Sequence, residues 1–537
     1  MILQILIINQ LLDRPLLNKL HIVIPVWRSS ESLLRLLEEL EGHFSITVVE
    51  NQSEVPLTLP QRYVHSVQHI KVAFNSGFAH AANVGWSSQL AEFYVFLNPD
   101  TQITAKEVTQ ILETGKTHRL EAFSPLLLNL SGEIAWNYHQ PLPSVLSLLQ
   151  QFSPLSRLFP PSVPQIFDTV LSGRTLPGAC LFISRQTLVK CGGWDERFWL
   201  WWEDADLSLR LHKQGFSLGT LTKLMVKHGG GESFNQREGS WKNQVFFHSL
   251  RVFVQKHFPR YQAIFEPLWS RRKITRLLPQ DSDIRASIIV PNLKTELLKN
   301  FLKQLSPEWE WHKDELIVVS SSKDSQDLML QYPNASFIWL NEPLGFAKTV
   351  NLGWQRARGQ WIGTVNDDTI LPKRCMAAMT ANVPAKTGSI QPCVIRPNGA
   401  IESLGVAVYS KGKASGNIKS SQPSDTVNAA AVLFAREALE QTGFFDESFV
   451  SYLEDVDLGL RMKMLGWKHC VQSQVLVTHL GHQTMSAFPA RKAWYDVRNW
   501  WKIVTKPYWL RYWKKDAFGI LLERGRNMSG FFKALRK

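Results

Sequence analysis

Residues 192–215 read GGWDERFWLWWEDADLSLRLHKQG, and residues 443–466 read GFFDESFVSYLEDVDLGLRMKMLG. Asp195-Glu196, Glu203-Asp204-x-Asp206-Leu207, Arg210 and Gly215 return 251 positions later as Asp446-Glu447, Glu454-Asp455-x-Asp457-Leu458, Arg461 and Gly466. His228 and His479 keep the same spacing. Identity at this many fixed offsets means that one domain occurs twice.

The repeat extends towards the N-terminus of each copy. Gly77-Phe78-Ala79, Asn83-x-Gly85-Trp86 and Asn98-Pro99-Asp100-Thr101 reappear 268 positions later as Gly345-Phe346-Ala347, Asn351-x-Gly353-Trp354 and Asn366-Asp367-Asp368-Thr369. Further upstream, His21–Pro25 and Ser287–Pro291 are apolar strand-like runs ending in proline, each followed by a helical pattern and a second apolar run. The change of offset implies about seventeen extra residues in the first copy, placed in the proline-broken stretch from Pro141 to Val170. Strands alternate with helical patterns in both copies, which predicts two tandem α/β sheet domains. The expected boundaries are 1–262 for the first, a basic-then-polar linker over 263–284, 285–490 for the second and a C-terminal region over 491–537.

Composition narrows the class. With 44% hydrophobic residues the chain has material for real cores, so a mainly disordered protein is excluded. The net charge of +14 points to a phosphate-bearing partner, but it is not evenly spread. Residues 491–537 hold 13 Lys and Arg against 3 Asp and Glu, so the body is nearly balanced. That distribution argues against nucleic acid and for a tail that docks on a surface. The tail interleaves its cations with Trp500, Trp501, Trp509, Trp513, Phe518, Phe531 and Phe532, a composition suited to an anionic membrane surface. The part resembling Trp241–Pro259 is expected to close the second domain, which leaves 511–537 for the membrane. Five cysteines without a C-x-x-C pair indicate neither a disulfide framework nor a zinc ribbon. The apolar start, Met1–Leu12, has no basic region before it and no small-residue cleavage site after it, so no secretory signal is expected; nor is a membrane-spanning helix.

The repeated polar residues are the candidate site. Asn98-x-Asp100 and Asn366-x-Asp368 end apolar strands, where open α/β sheets bind ligands and where a carboxylate can hold a divalent metal against phosphate. The alternative there is plain turn chemistry. His228 and His479 follow strand-like runs and complete an imidazole–carboxylate set suited to Mn²⁺ or Mg²⁺. Glu203, Asp204 and Asp206 precede a helical pattern and could cap it. Gly77 and Gly345 read as tight turns beside a ligand, and Trp194, Trp199, Trp201 and Trp202 as either sugar-stacking faces or core.

In this order the motifs resemble the family 2 inverting glycosyltransferases, and among them the rhamnosyltransferase-like branch. The resemblance covers roughly residues 20–262 and 284–490. It implies two tandem GT-A folds; the basic, aromatic tail beyond them is expected to be helical. It makes Asp100 and His228, and Asp368 and His479, the metal ligands, with Asp204 and Asp455 as catalytic bases. Glu50, Asn51, Gly77, Asn83, Asn98, Trp201, Trp202 and Glu203 would line the first substrate site, and Ser320, Gly345, Asn351, Asn366 and Glu454 the second. The family's nucleobase-contacting aspartate is Glu50 in the first copy and Ser320 in the second, which puts base recognition by the second in doubt. The implied partners are a nucleotide-diphosphate sugar donor and a lipid-linked or oligosaccharide acceptor. The implied place is the cytoplasmic face of the cell membrane. The rival reading is a catalytic first domain with a degenerate second one acting as a scaffold.

Overall fold

The computed structural model describes residues 18–52, 56–152, 168–230, 239–322, 327–417, 424–481 and 489–535. Met1–Leu12 lies outside them, as does 153–167 of the stretch assigned to the insertion. The chain forms two compact units, Met1–Ile274 and Thr275–Lys537.

In the first unit the strands are β1 (Asn18–Val26), β2 (Ser45–Asn51), β3 (Val67–Val72), β4 (Ala91–Leu97), β5 (Thr101–Gln102), β6 (Ala122–Leu128), β7 (Val170–Leu171), β8 (Cys180–Ser184) and β9 (Leu218–His228). They make one mixed sheet in the order β3-β2-β1-β4-β8-β6-β9-β5, with β7 on β9. β1 pairs in parallel with β2 and β4, and Ile22, Val23 and Ile24 are buried on both faces. This double burial is why the strand is apolar without alternation. β8 runs antiparallel to β4, so the chain entering β8 lies beside the end of β4.

The second unit has β10 (Ala286–Asn292), β11 (Asp314–Ser320), β12 (Ala335–Trp339), β13 (Trp361–Val365), β14 (Thr369–Ile370), β15 (Thr387–Ile395), β16 (Ile401–Ser403), β17 (Val406–Tyr409), β18 (Lys413–Gly416), β19 (Ala431–Ala435) and β20 (Lys468–His479). Its nine-stranded order, β12-β11-β10-β13-β19-β15-β20-β14, repeats the first strand for strand, with β16 added on β15 and β17–β18 as a separate hairpin. The two mixed sheets are the tandem α/β architecture expected of paired GT-A domains.

Residues 262–271, assigned from sequence to the first domain's end and the linker, form a helix whose Phe265 and Trp269 join the core of the first unit with Phe247 and Phe253. The C-terminal region is helical: Pro489–Val504 is followed by Leu510–Leu535, which kinks at Asp516. Trp500, Ile503, Tyr508, Trp509 and Ile520 bury against Phe449, Val456 and Leu460, so much of this region is core of the second unit. Among the described residues no helix is long and apolar enough to cross a membrane. All five cysteines are free.

Candidate active sites

The chain leaves β4 at Asn98, whose N–H donates to the Ala179 carbonyl at 3.0 Å. A tight turn then starts β5, which pairs antiparallel with β9 so that Thr101 faces His228. This pairing brings Asp100 to a histidine far along the chain. Asp100 Oδ1 lies 3.1 Å from His228 Nε2, and the Asn98 amide lies 3.0 Å from the same nitrogen. His228 is buried, and among the described residues its Nδ1 has no hydrogen-bond partner. The Tyr138 ring meets the imidazole edge-on at 5.1 Å. Burial pushes the Tyr138 phenol above its ordinary range, and the Asp100 and Asp204 carboxylates push it further. Both carboxylates therefore lie near enough to the phenol to act on it.

The second unit builds the same pair: Asp368 Oδ1 lies 3.3 Å from His479 Nε2. Here the other ring nitrogen is partnered, with Nδ1 3.0 Å from Glu402 Oε1. Burial alone would depress the His479 pKa, but the two carboxylates outweigh it and raise it.

Asp204 and Asp455 open the helices Glu203–Lys213 and Glu454–Met464. The two residues before each helix are left-handed although neither is glycine: Trp201 and Trp202 have φ of 63° and 69°, Tyr452 and Leu453 of 70° and 69°. Each such residue costs about 1–2 kcal/mol, so the turn persists only where its surroundings hold it. The Ser249 hydroxyl donates to the Leu200 carbonyl at 2.9 Å, and the Asn499 amide donates to the carbonyls of Phe449, Ser451 and Tyr452. Gly77 and Gly345 press on the same loops. A Cβ at Gly77 would lie 2.1 Å from the Trp199 carbonyl oxygen, and one at Gly345 2.6 Å from Val450 Cγ1. Glycine is required there by the close approach of backbone.

The acidic motif divides its labour. Burial pushes the Asp204 carboxyl up to about 6, although its Oδ1 accepts the Ala205 N–H at 2.7 Å. Asp455 is raised for the same reason and accepts the Ala429 and Val456 N–H groups at 3.0 and 2.8 Å. Glu203 and Glu454 are buried with Oε2 unpartnered among the described residues, and burial beside the next aspartate pushes both well above the carboxylate range. Asp206 turns the other way, to Arg210 at 2.7 Å, Lys256 at 2.5 Å and His257 at 2.8 Å.

Several of the expected substrate contacts have protein partners. Asn83 and Asn351 are buried, and each accepts one backbone N–H and donates to a carbonyl and a glutamate of the loop before the acidic helix. They tie that loop to the helix behind it. Asn51 accepts the Ser76 N–H and hydroxyl, each at 3.2 Å, and so braces the turn at Gly77. Glu50 is buried, with Oε1 accepting the Leu57 N–H at 2.7 Å and Oε2 against His69 at 2.9 Å. Ser320 donates to Asn292 at 2.8 Å, and Asn292 donates to Asp367 at 2.6 Å. The first unit has Val26 and Pro99 at the two corresponding positions, so this polar chain belongs to the second alone. Trp194 is core, edge-on to Phe78 and Phe96, whereas Trp201 and Trp202 pack on Phe246 and stay partly exposed. Asn366 repeats the backbone role of Asn98, donating to Ala430 at 2.9 Å.

Tyr138 and Glu402 were not found by sequence reasoning. Each follows the glycine turn after β6 or β15, at Gly132 and Gly399, where the two copies align but carry different residues. A search for identical positions passes over them.

For a divalent cation, each unit offers one carboxylate and one imidazole, a donor set that leaves positions for phosphate oxygens. In both units the imidazole turns Nε2 towards that carboxylate. Among the described residues, no group of three or more His, Cys, Asp and Glu forms a complete cation site, so phosphate or water would have to finish it.

Residues 285–496 match the family described as glycosyltransferase like family 2. The chain is 23% identical over 349 residues to the O-antigen biosynthesis protein RfbC of Myxococcus xanthus, covering 58% of this chain and 26% of that protein. It thus spans about a quarter of that relative's length. It is 26% identical over 204 residues to the N-acetylglucosaminyl-diphospho-decaprenol L-rhamnosyltransferase of Mycobacterium tuberculosis, covering 33% of this chain and 63% of that one. The S. aureus TarS fragment 1–349 in complex with UDP aligns with a TM-score of 0.32 at 14% identity, over 47% of this chain and 78% of that one. The second unit thus matches the glycosyltransferase like family 2, and the first repeats its order of strands and its Asp-Thr, Glu-Asp-x-Asp and histidine positions.

Proposed function

We propose that the chain is a metal-dependent inverting glycosyltransferase of hexosyltransferase type with two active sites. It moves sugar, rhamnose being the first candidate, from nucleotide-diphosphate donors to a lipid-linked or growing surface polysaccharide. One observation carries the reading. In both units a strand-end aspartate meets the histidine that ends the last long strand, while a second aspartate with a raised pKa opens the helix beside them. The rhamnosyl and lipid-linked parts are supported by likeness to the mycobacterial relative.

In a single displacement, the Asp204 carboxylate takes the proton of the acceptor hydroxyl as its oxygen bonds to the anomeric carbon and the diphosphate leaves with the bonding pair. Asp455 does the same in the second unit. Asp100 and His228, or Asp368 and His479, would hold a Mn²⁺ or Mg²⁺ ion, which would supply charge for the departing diphosphate. Tyr138 covers the imidazole in the first unit, and partly exposed Trp201 and Trp202 offer faces for the acceptor sugar. Glu50 in the first unit and Ser320 in the second are the candidates to read the nucleobase. The outer face of the last helix would rest on an anionic membrane at its cytoplasmic side.

The chain Ser320–Asn292–Asp367 favours a second reading, in which the second unit binds but does not transfer. Asp204→Asn and Asp455→Asn, assayed separately with a panel of nucleotide sugars, decide between them. Two active sites predict that each variant loses a different transfer step. Loss of all product with Asp204→Asn and none with Asp455→Asn would leave one catalytic unit.

A further inference from the structure

The two imidazoles are wired differently, and the difference bears on the metal. His228 has an unpartnered Nδ1, and its Nε2 is shared between Asp100 and the Asn98 amide. His479 has Asp368 at Nε2 and Glu402 at Nδ1. Glu402 sits on β16, fixed to β15 through the pairs Val394–Ser403 and Ile395–Ile401, and β15 in turn carries Ile395 beside Thr478 of β20. The carboxylate is therefore held by the sheet itself, and its side chain is only 22% exposed. The first unit has Ala135 at this place.

We infer that Glu402 is a positioning residue that orients His479 for a divalent cation, making the second unit the tighter cation site of the two. This rests on the metal-dependent reading above. An imidazole binds a cation through one unprotonated nitrogen, and a carboxylate on the opposite N–H fixes both the tautomer and the ring plane. Loss of such a partner lowers metal affinity by about 10–100-fold. Glu402 accepting from Nδ1–H leaves the Nε2 lone pair directed at Asp368, where the cation would sit. Among the described residues His228 has no equivalent brace. Its Nε2 must also exchange the Asn98 contact before it can bind a cation.

The test uses the full chain carrying Asp100→Asn, which removes the first cation site. Mn²⁺ is titrated by electron paramagnetic resonance with UDP, GDP and dTDP in turn, and the nucleotide that gives the tightest binding is kept. One Mn²⁺ is expected, and adding Glu402→Gln should weaken it at least about tenfold. Glu402→Asp, which keeps the charge on a shorter arm, should fall between, and it serves alone should Glu402→Gln fail to fold. With Mg²⁺ and nucleotide, ¹⁵N-histidine spectra should show His479 as the Nδ1–H tautomer in the parent and a mixture in Glu402→Gln, a change that a packing role would not produce. Abolition of Mn²⁺ binding by Asp368→Asn, with Glu402→Gln and Glu402→Asp binding as the parent and the tautomer unchanged, would overturn the role of Glu402 and leave the cation site standing. No Mn²⁺ bound by the parent, or binding indifferent to Asp368→Asn, would overturn the cation reading and this inference with it.

Discussion

Asp204 sits where two effects oppose each other. The start of a helix stabilises a carboxylate, and the Ala205 N–H adds a hydrogen bond, yet burial prevails and the pKa rises from 3.8 to about 6. A base must be ionised to act, so transfer that depends on Asp204 should fall as pH drops through about 6, well above the range of an ordinary aspartate. A pH profile of kcat/KM measures this, with the first unit's donor and Asp455→Asn as background. The sign for stability is the reverse. A carboxyl whose pKa is raised by folding destabilises the native state above that pKa, and the penalty disappears below the unfolded value. Allowing for the partial exposure of Asp204, the penalty is about 1–2 kcal/mol. Asp204→Asn should therefore lose transfer and gain about that much stability at pH 8, with the gain vanishing near pH 4 in urea denaturation.

At the scale of the element, one helix presents its two aspartates to different surroundings. Residues two apart on a helix lie about 200° around the axis, so Asp204 and Asp206 cannot serve one site. Asp206 and Asp195 enclose Lys256; Arg210 takes the other oxygen of Asp206, and Arg197 forks onto Asp195, sharing Oδ2 with Lys256. In the second unit Lys506 joins Asp446 at 2.7 Å, while Asp457 takes Arg461 and the Tyr508 hydroxyl at 2.8 and 2.6 Å. These clusters fasten the acidic helix to the segment that closes each unit. Removing one charge leaves the others buried and unmatched, which costs about 3–5 kcal/mol. Asp206→Asn should destabilise the first unit by that order in chemical denaturation. Its neighbour Asp204→Asn should not. The spelling Glu-Asp-x-Asp was legible as something both copies need; that its last acid is an anchor was not, because the partners Lys256 and Lys506 lie about fifty residues downstream.

At the scale of the molecule, the final helix has two faces. Ile520, Arg524 and Phe531 turn inwards, with Arg524 stacked on Trp500 at 4.9 Å and Phe531 on Trp494 at 5.5 Å. Phe518, 78% exposed, lies with Leu521, Leu522, Phe532 and Leu535 on the outside, among Lys514, Lys515, Arg526 and Lys533. An apolar stripe edged by cations suits an anionic bilayer. Phe518→Ser with Leu522→Ser leaves the inner face intact and should lower co-sedimentation with phosphatidylglycerol vesicles about tenfold. Added salt should weaken the parent's binding as well. Binding equal to the parent would remove the membrane from the proposal.

The repeat, the alternation of strands and helices, and the residues around which both sites are built were open to reading because each is written into adjacent positions and written twice. Asp100 and His228, Asp368 and His479, Asp204 and Asp455 could all be named that way. What repetition cannot do is separate a residue kept for chemistry from one kept for packing. Asn83 and Asn351 recur as faithfully as the aspartates, yet they bind backbone, and Gly77 and Gly345 recur because a loop presses on them. Tyr138 and Glu402 reach the two histidines from a turn where the copies differ, so identity carried no trace of them. Chain order determined which residues were required. Contacts between strands far apart in that order decided what each is for, since a side chain's charge and reach depend on which neighbours the sheet brings to it.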